Sequence, residues 1–368
     1  MASNIHSSAD ARSLAKKRLP WMVFDYIDGA AGQETGAVRN RAAFDAIELT
    51  PRILRDVSQR SLATRVFGQE TNAPFGISPM GMCNLSAPGA DLMLARLAAR
   101  ERVPLGVSTV ASTAMEPLIE TAEGHAWFQL YFSGDGAGTF KLVERAKTAG
   151  YQTIVLTVDV PEVGRRPREL RHGFTMPFRI GPKQFFDFAM HPRWSLTTLF
   201  KGRPEMANFQ MPGYEFDRTE SRAKANWDTL KTLRDIWPGN LVVKGVLDAE
   251  DAIHLRSCGV DAIQVSSHGA RQLESATRPI NALSTIRDTL GDEFPLFYDT
   301  GLRSGEDVSK AFLRGANFTF LGRILQFAIA AEGEEGLHAL WNVLCQETDS
   351  TLAQLGLTSV ADLTVASQ

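Results

Sequence analysis

The chain has 368 residues, 44% of them hydrophobic and 22% charged, with a formal net charge of −3. That is enough apolar side chain for one large core, and it excludes a disordered polypeptide or a nucleic-acid partner, because no excess of cations draws the chain to a phosphate backbone. Cys83, Cys258 and Cys345 have no paired or zinc-like spacing, which predicts mostly buried, inert thiols in a reducing compartment, and no apolar run reaches the ~20 residues of a spanning helix, so a cytoplasmic protein, at most peripheral to a membrane, is expected.

In chain order, residues 1–18 are polar and mixed in charge, without the apolar centre of a secretory signal. Residues 13–26 and 35–47 read as helices around the turn-like 28–32 and form an N-terminal helical cap, 1–73. Short runs rich in β-branched and aromatic residues then recur at 74–79, 104–109, 126–132, 153–159, 241–246, 262–267, 295–300 and 318–323. Between them, 92–102, 139–149, 249–257, 280–290 and 306–313 have helical spacing.

Strands alternating with helices predict parallel pairing through right-handed crossovers, and eight such units predict an α/β fold, a (β/α)8 TIM barrel forming one domain over 1–368. The strand starts at 153 and 241 are 88 residues apart (241 − 153), so a long insertion, 160–218, follows strand four. The alternative is an open doubly wound sheet. Against it, Pro79-Met80-Gly81 follows the first strand where a GxGxxG would stand.

Polar residues at the carboxyl ends of barrel strands share one mouth. Here they include Ser108, Gln129 with Tyr131, Thr157 with Asp159, Lys244, Ser266 to His268, Asp299 to Arg303, and Gly322-Arg323. Lys244, Gly301-Leu302-Arg303 and Gly322-Arg323 suit a phosphate-bearing cofactor, since glycines let backbone amides approach the anion and cations neutralise it. His268 and Arg271 suit removal of hydrogen beside a carboxylate: imidazole takes a proton near neutral pH and guanidinium grips an acid with two donors. Asp159 would orient the imidazole, or else serve only as a cap or structural ion pair. The other histidines have no ligand spacing, so no metal is expected, and no GxSxG supports acyl transfer.

On these residues, with Phe24-Asp25-Tyr26, Gln129-Leu130-Tyr131, Gly164-Arg165-Arg166 and Ser266-Ser267-His268-Gly269-Ala270-Arg271, the chain resembles the FMN-dependent L-2-hydroxy acid dehydrogenases and oxidases, among them glycolate oxidase, L-lactate dehydrogenase and mandelate dehydrogenase. The resemblance implies FMN at the mouth, His268 as base with Asp159 beside it, and Arg271, Arg166 and Tyr26 as ligands of the substrate carboxylate. It places Tyr131 near the substrate hydroxyl and Lys244 near the flavin N1 edge. Pro79, Gly81, Ser108, Gln129, Thr157 and Ser266 become flavin contacts, Asp299 the ribityl partner, and Gly301, Arg303, Gly322 and Arg323 the phosphate site. A homotetramer is also implied. Departures are Ser267 for asparagine, Val110 for a bulky aromatic, Gly81 for an alanine common in oxidases, and Glu274 for aspartate.

The expected reaction is oxidation of an L-2-hydroxy acid, mandelate- or lactate-like, to the 2-oxo acid. Hydrogen leaves as a proton or as a hydride, and both routes need the same base. A quinone or other carrier would reoxidise the flavin, the alternative being O2 with release of H2O2; from another class, a non-redox FMN-binding barrel remains. The insertion interleaves Arg165, Arg166, Arg168, Arg171, Arg179, Lys183, Arg193, Lys201 and Arg203 with Phe174, Phe178, Phe185, Phe186, Phe188, Trp194 and Phe200. Such alternation over 165–210 suits either a peripheral membrane surface or a lid over the mouth, and 191–195 resembles membrane-associated dehydrogenase members.

Overall fold

The computed structural model describes residues 3–134, 136–174, 180–201, 204–210 and 221–365. Phe178, Arg179 and Arg203 lie outside these residues.

Two short strands, β1 (Thr64–Val66) and β2 (Gln69–Thr71), form an antiparallel hairpin. The eight that follow are β3 (Phe75–Met80), β4 (Leu105–Ser108), β5 (Ala126–Tyr131), β6 (Thr153–Thr157), β7 (Asn240–Val246), β8 (Ala262–Val265), β9 (Leu296–Tyr298) and β10 (Phe318–Leu321). They pair in parallel in chain order and close through β10 against β3. The (β/α)8 architecture expected from the strand rhythm is the one found, and an open sheet is excluded.

Side chains alternate along each strand, so every second residue points into the barrel. Trp127, Val155, Val242, Phe297, Phe318 and Phe320 fill its lower interior, with the Trp127 ring 5.7 Å from that of Phe297 across the barrel. The hairpin stops this end. Val66 is buried and Phe67 packs on Trp127 and Phe297, at 5.4 and 5.5 Å between ring centroids. Phe67 and Gly68 both adopt positive φ, 47° and 77°, as a two-residue hairpin turn requires.

The expected helix over 13–26 is two helices, Ser8–Arg18 and Trp21–Asp28. Pro20 separates them because the residue before a proline is pushed out of the helical region; Leu19 is extended, at φ −93° and ψ 143°. The insertion contains Pro167–Arg171, Pro182–Met190 and Pro192–Lys201, each opened by a proline at the first helical position.

Three aromatics of the insertion point inward, as a lid over the mouth would have them. Trp194 is buried and donates to the Leu85 carbonyl at 2.8 Å, Phe188 packs on Trp194, and Phe174 stacks on Tyr26 at 4.5 Å. Only Cys83 of the three cysteines is fully buried, fewer than expected; Cys258 and Cys345 are half-buried and all are free. Behind β3 and β4, Asp91 opens helix Ala90–Glu101 as a buried carboxylate whose Oδ2 has no hydrogen-bond partner.

Candidate active site

The alternation that puts Trp127, Val155, Val242 and Phe297 inside puts Gln129, Thr157, Lys244 and Asp299 inside two residues later, toward the carboxyl end. There they line a cavity of about 310 Å3. Lys244 is buried, 2.9 Å from Asp299 Oδ2, and donates to Ser266 Oγ at 2.6 Å. Asp299 also accepts from Ser78 and Gln264, at 3.2 and 3.0 Å. Ser108 donates to Gln129 Oε1, which leaves Gln129 Nε2 buried without a partner, and Thr157 Oγ1 is orphaned likewise. A buried polar atom without a partner is costly, so these groups fit the polar edge of a planar ligand seated among them.

At the far side of the cavity, Thr300 and Gly301 take positive φ, 89° and 84°, and Gly322 caps helical segment Arg323–Leu355, which breaks at Gly333. Arg323 bonds the carbonyls of Gly29 and Gly269. Burial first, then the charges of Arg303 and Arg271, pushes its guanidinium down to about 9. Two desolvated guanidinia at a helix amino terminus call for an anion, and the FMN phosphate fits that demand.

His268 takes φ 56°, with Gly269 and Ala270 also left-handed at 66° and 61°. This strained turn faces the imidazole to the cavity. Its Nδ1 lies 3.1 Å from Asp159 Oδ1 and its Nε2 3.4 Å from Tyr131 Oη. Burial alone would raise the Asp159 carboxyl, but His268 and then Lys244 outweigh it and hold it low. Burial raises the Tyr131 and Tyr26 phenols, so both stay protonated.

Arg166 and Arg271 share Glu169, at 3.6 and 2.9 Å. Arg271 also donates to the Tyr26 and Gly29 carbonyls, both at 2.8 Å. Desolvation, followed by the charge of Arg271, lowers the Arg166 guanidinium. Tyr26 Oη donates to the Gly81 carbonyl at 3.3 Å, and its ring lies between Phe174 and Arg271.

Of the residues expected at the site, Tyr26, Tyr131, Arg166, His268 and Arg271 line the cavity together. So do Pro79, Gly81, Gln129, Thr157, Lys244 and Asp299, and at the phosphate end Gly301, Arg303, Gly322 and Arg323. Ser108, Ser266 and Asp159 stand behind the lining and contact Gln129, Lys244 and His268. Ser267 still receives a hydrogen bond, from Asn40 Nδ2 at 3.2 Å. Glu274 accepts from the Thr35 and Gln33 amides, at 3.0 and 2.8 Å, and so anchors the cap. A Cβ at Gly81 would meet Val110 Cγ2 at 2.5 Å, so Val110 occupies the space beside it.

Sequence reading missed Ser78, Glu169, Gln326 and Arg222. The Arg166/Glu169 spacing of three on a helix was a signal for one of them; the others are placed by tertiary contact alone. Among the described residues, no group of three His, Cys, Asp or Glu is arranged to hold a metal ion.

Residues 15–367 match the family described as FMN-dependent dehydrogenase. The chain is 38% identical to (S)-mandelate dehydrogenase of Pseudomonas putida, over 99% of this chain and 93% of that one. It is 33% identical to an L-lactate dehydrogenase of Pseudomonas syringae, over 98% and 97%. Among solved structures it superposes on the monotopic membrane protein (S)-mandelate dehydrogenase with a TM-score of 0.92 at 37% identity, covering 99% of both chains. A mandelate oxidase gives 0.85 at 32%, covering 98% and 97%.

Proposed function

From the premise that this chain belongs to the family of FMN-dependent dehydrogenases, which oxidise 2-hydroxy acids to 2-oxo acids, we propose that His268 is the base, Arg166 and Arg271 the carboxylate clamp, and a mandelate- or lactate-like L-2-hydroxy acid the substrate. The observation that carries this reading is one imidazole held between Asp159 and Tyr131 while two guanidinia line the same cavity.

FMN, when bound, takes the two electrons. Tyr26 and the two guanidinia hold the acid so that its α-carbon faces the cavity floor. His268 Nε2 receives the proton, Asp159 stabilises the imidazolium that results, and the Tyr131 hydroxyl supports the substrate oxygen as charge shifts. Lys244, backed by Asp299 and Ser266, would sit at the flavin's polar edge; Gln129 and Thr157 would offer it their unpaired atoms. The test is anaerobic mixing with lactate, mandelate and longer acids: flavin bleaching by at least one is expected, and none by any acid would refute the reading.

Electrons then pass to a quinone or another carrier rather than to O2, a reading supported by relatives named dehydrogenases. Low peroxide yield during turnover in air is expected; stoichiometric peroxide would make the protein an oxidase.

The surface reading is peripheral binding to an anionic bilayer. Among the described residues no helix is long and apolar enough to cross a membrane. Yet Phe185, Phe186, Leu199 and Phe200 are 62–83% exposed on consecutive helices that also carry Lys183, Arg193 and Lys201. Sedimentation with anionic liposomes at low salt supports it, and failure to sediment there sinks it.

A further inference from the structure

Six cations line the cavity, and five have a use in the reaction as described. Arg166 and Arg271 clamp the carboxylate, Lys244 is paired with Asp299, and Arg303 and Arg323 face the phosphate site. The sixth is Arg222. Its guanidinium carbon lies 4.2 Å from the centroid of the Tyr131 ring. Among the described residues it forms no ion pair with a carboxylate, whereas Arg166 and Arg271 share Glu169.

Its place is fixed by the residue before it. The preceding residue, Ser221, donates through Oγ to Glu162 Oε1 at 3.0 Å and accepts at its carbonyl from the Gly134 amide at 3.1 Å. The stretch just after the insertion is thereby tied to the loop after β5. The Tyr131 face supplies a cation–π contact that holds the guanidinium beside the cavity without neutralising it.

A 2-hydroxy acid offers three groups to this cavity. Its carboxylate goes to Arg166 and Arg271, its hydroxyl to His268 and Tyr131, and its side chain remains. One carboxylate balances the clamp once Glu169 has offset one of the two guanidinia, so the charge of Arg222 is left for the side chain to meet. We propose that Arg222 is a specificity-determining residue for a second anionic group, and that the substrate class is an L-2-hydroxy dicarboxylate. This rests on the oxidation proposed above and replaces its mandelate- or lactate-like side chain with one that carries a second carboxylate.

The experiment compares acids matched in chain length on the FMN-loaded protein: L-malate with L-2-hydroxybutyrate, and L-2-hydroxyglutarate with L-2-hydroxyvalerate, with L-mandelate alongside. A kcat/KM at least about tenfold higher for one diacid than for its matched monoacid is expected, because a charge-assisted bond to guanidinium contributes about 1.5–3 kcal/mol. Arg222→Met should lower that diacid-to-monoacid ratio about tenfold or more, mainly through KM; Arg222→Lys should retain part of it, and Arg222→Glu should invert it. Flavin content, read from the visible spectrum, checks that each variant is folded and loaded, and Arg222→Gln replaces any that is not.

Monoacids or mandelate reducing the flavin as efficiently as the diacids, or a ratio unmoved by Arg222→Met, would overturn the proposal while leaving the oxidation standing. If no acid of any class bleaches the flavin, the oxidation itself fails and the proposal with it.

Discussion

Asp159 touches the imidazole of His268 on the side away from Tyr131: Oδ1 lies 3.1 Å from Nδ1, and Tyr131 Oη is 3.4 Å from Nε2. One ring nitrogen is therefore held by an anion while the other lies beside Tyr131 at the cavity. His268→Gln should slow flavin reduction about a thousandfold with FMN still bound. Asp159→Asn should slow it less, because the base survives but its cation loses a partner. Stopped-flow bleaching measures both, and undiminished reduction in His268→Gln removes the histidine from its role.

Arg271 has three of its N–H groups committed to Tyr26, Gly29 and Glu169. Arg271→Lys cannot reproduce that fork, so KM should rise about tenfold or more with a smaller fall in kcat. Saturation kinetics separate the two; an unchanged KM would show that the clamp lies elsewhere.

The Lys244–Asp299 pair is buried, with side chains 4% and 9% exposed. Lys244→Met leaves Asp299 as a buried charge with neutral partners and should cost about 3–5 kcal/mol. Adding Asp299→Asn should recover much of that. Urea denaturation of the apoprotein tests both variants, and a single variant as stable as the parent would show the pair to be solvated.

Burial raises the Asp91 carboxyl from its ordinary 3.8 to about 6. Because the folded value lies above the unfolded one, the stabilising contribution is complete below pH ~4 and is lost as pH rises through about 6, a change of about 3 kcal/mol. Asp91→Asn should lose less stability than the parent between pH ~4 and ~7. Thermal melting across that range decides it; parallel pH profiles would count against a buried, neutral Asp91.

Eight strands and about half of the helices are legible because periodicity and β-branched composition are local properties, whereas Met115–Thr121, Trp227–Ile236 and the long Arg323–Leu355 are not. Nor is the hairpin at 64–71: its strands have three residues each, and Phe67-Gly68 does not look like a turn until Trp127 and Phe297 give the phenylalanine somewhere to bury. The helix break at Pro20 was present in the sequence as a proline and was outweighed by helical spacing on either side. At the site, His268, Arg271 and Lys244 are readable because strand ends converge in any barrel. Arg222 and Gln326 are not, since nothing near them in sequence reports which wall they reach. The insertion carried two readings, and it divides between them: Phe174 and Trp194 pack inward, whereas Phe185, Phe186 and Phe200 remain on the outside.

The packed barrel interior, with Phe67 beneath it, leaves the carboxyl end as the way into the cavity. Fuel, spent acid and electron acceptor must take turns at one threshold instead of passing through, so a molecule lingering there bars the next. Substrate at high concentration should therefore slow turnover by blocking the acceptor, a traffic rule set by a barrel packed solid beneath its cavity.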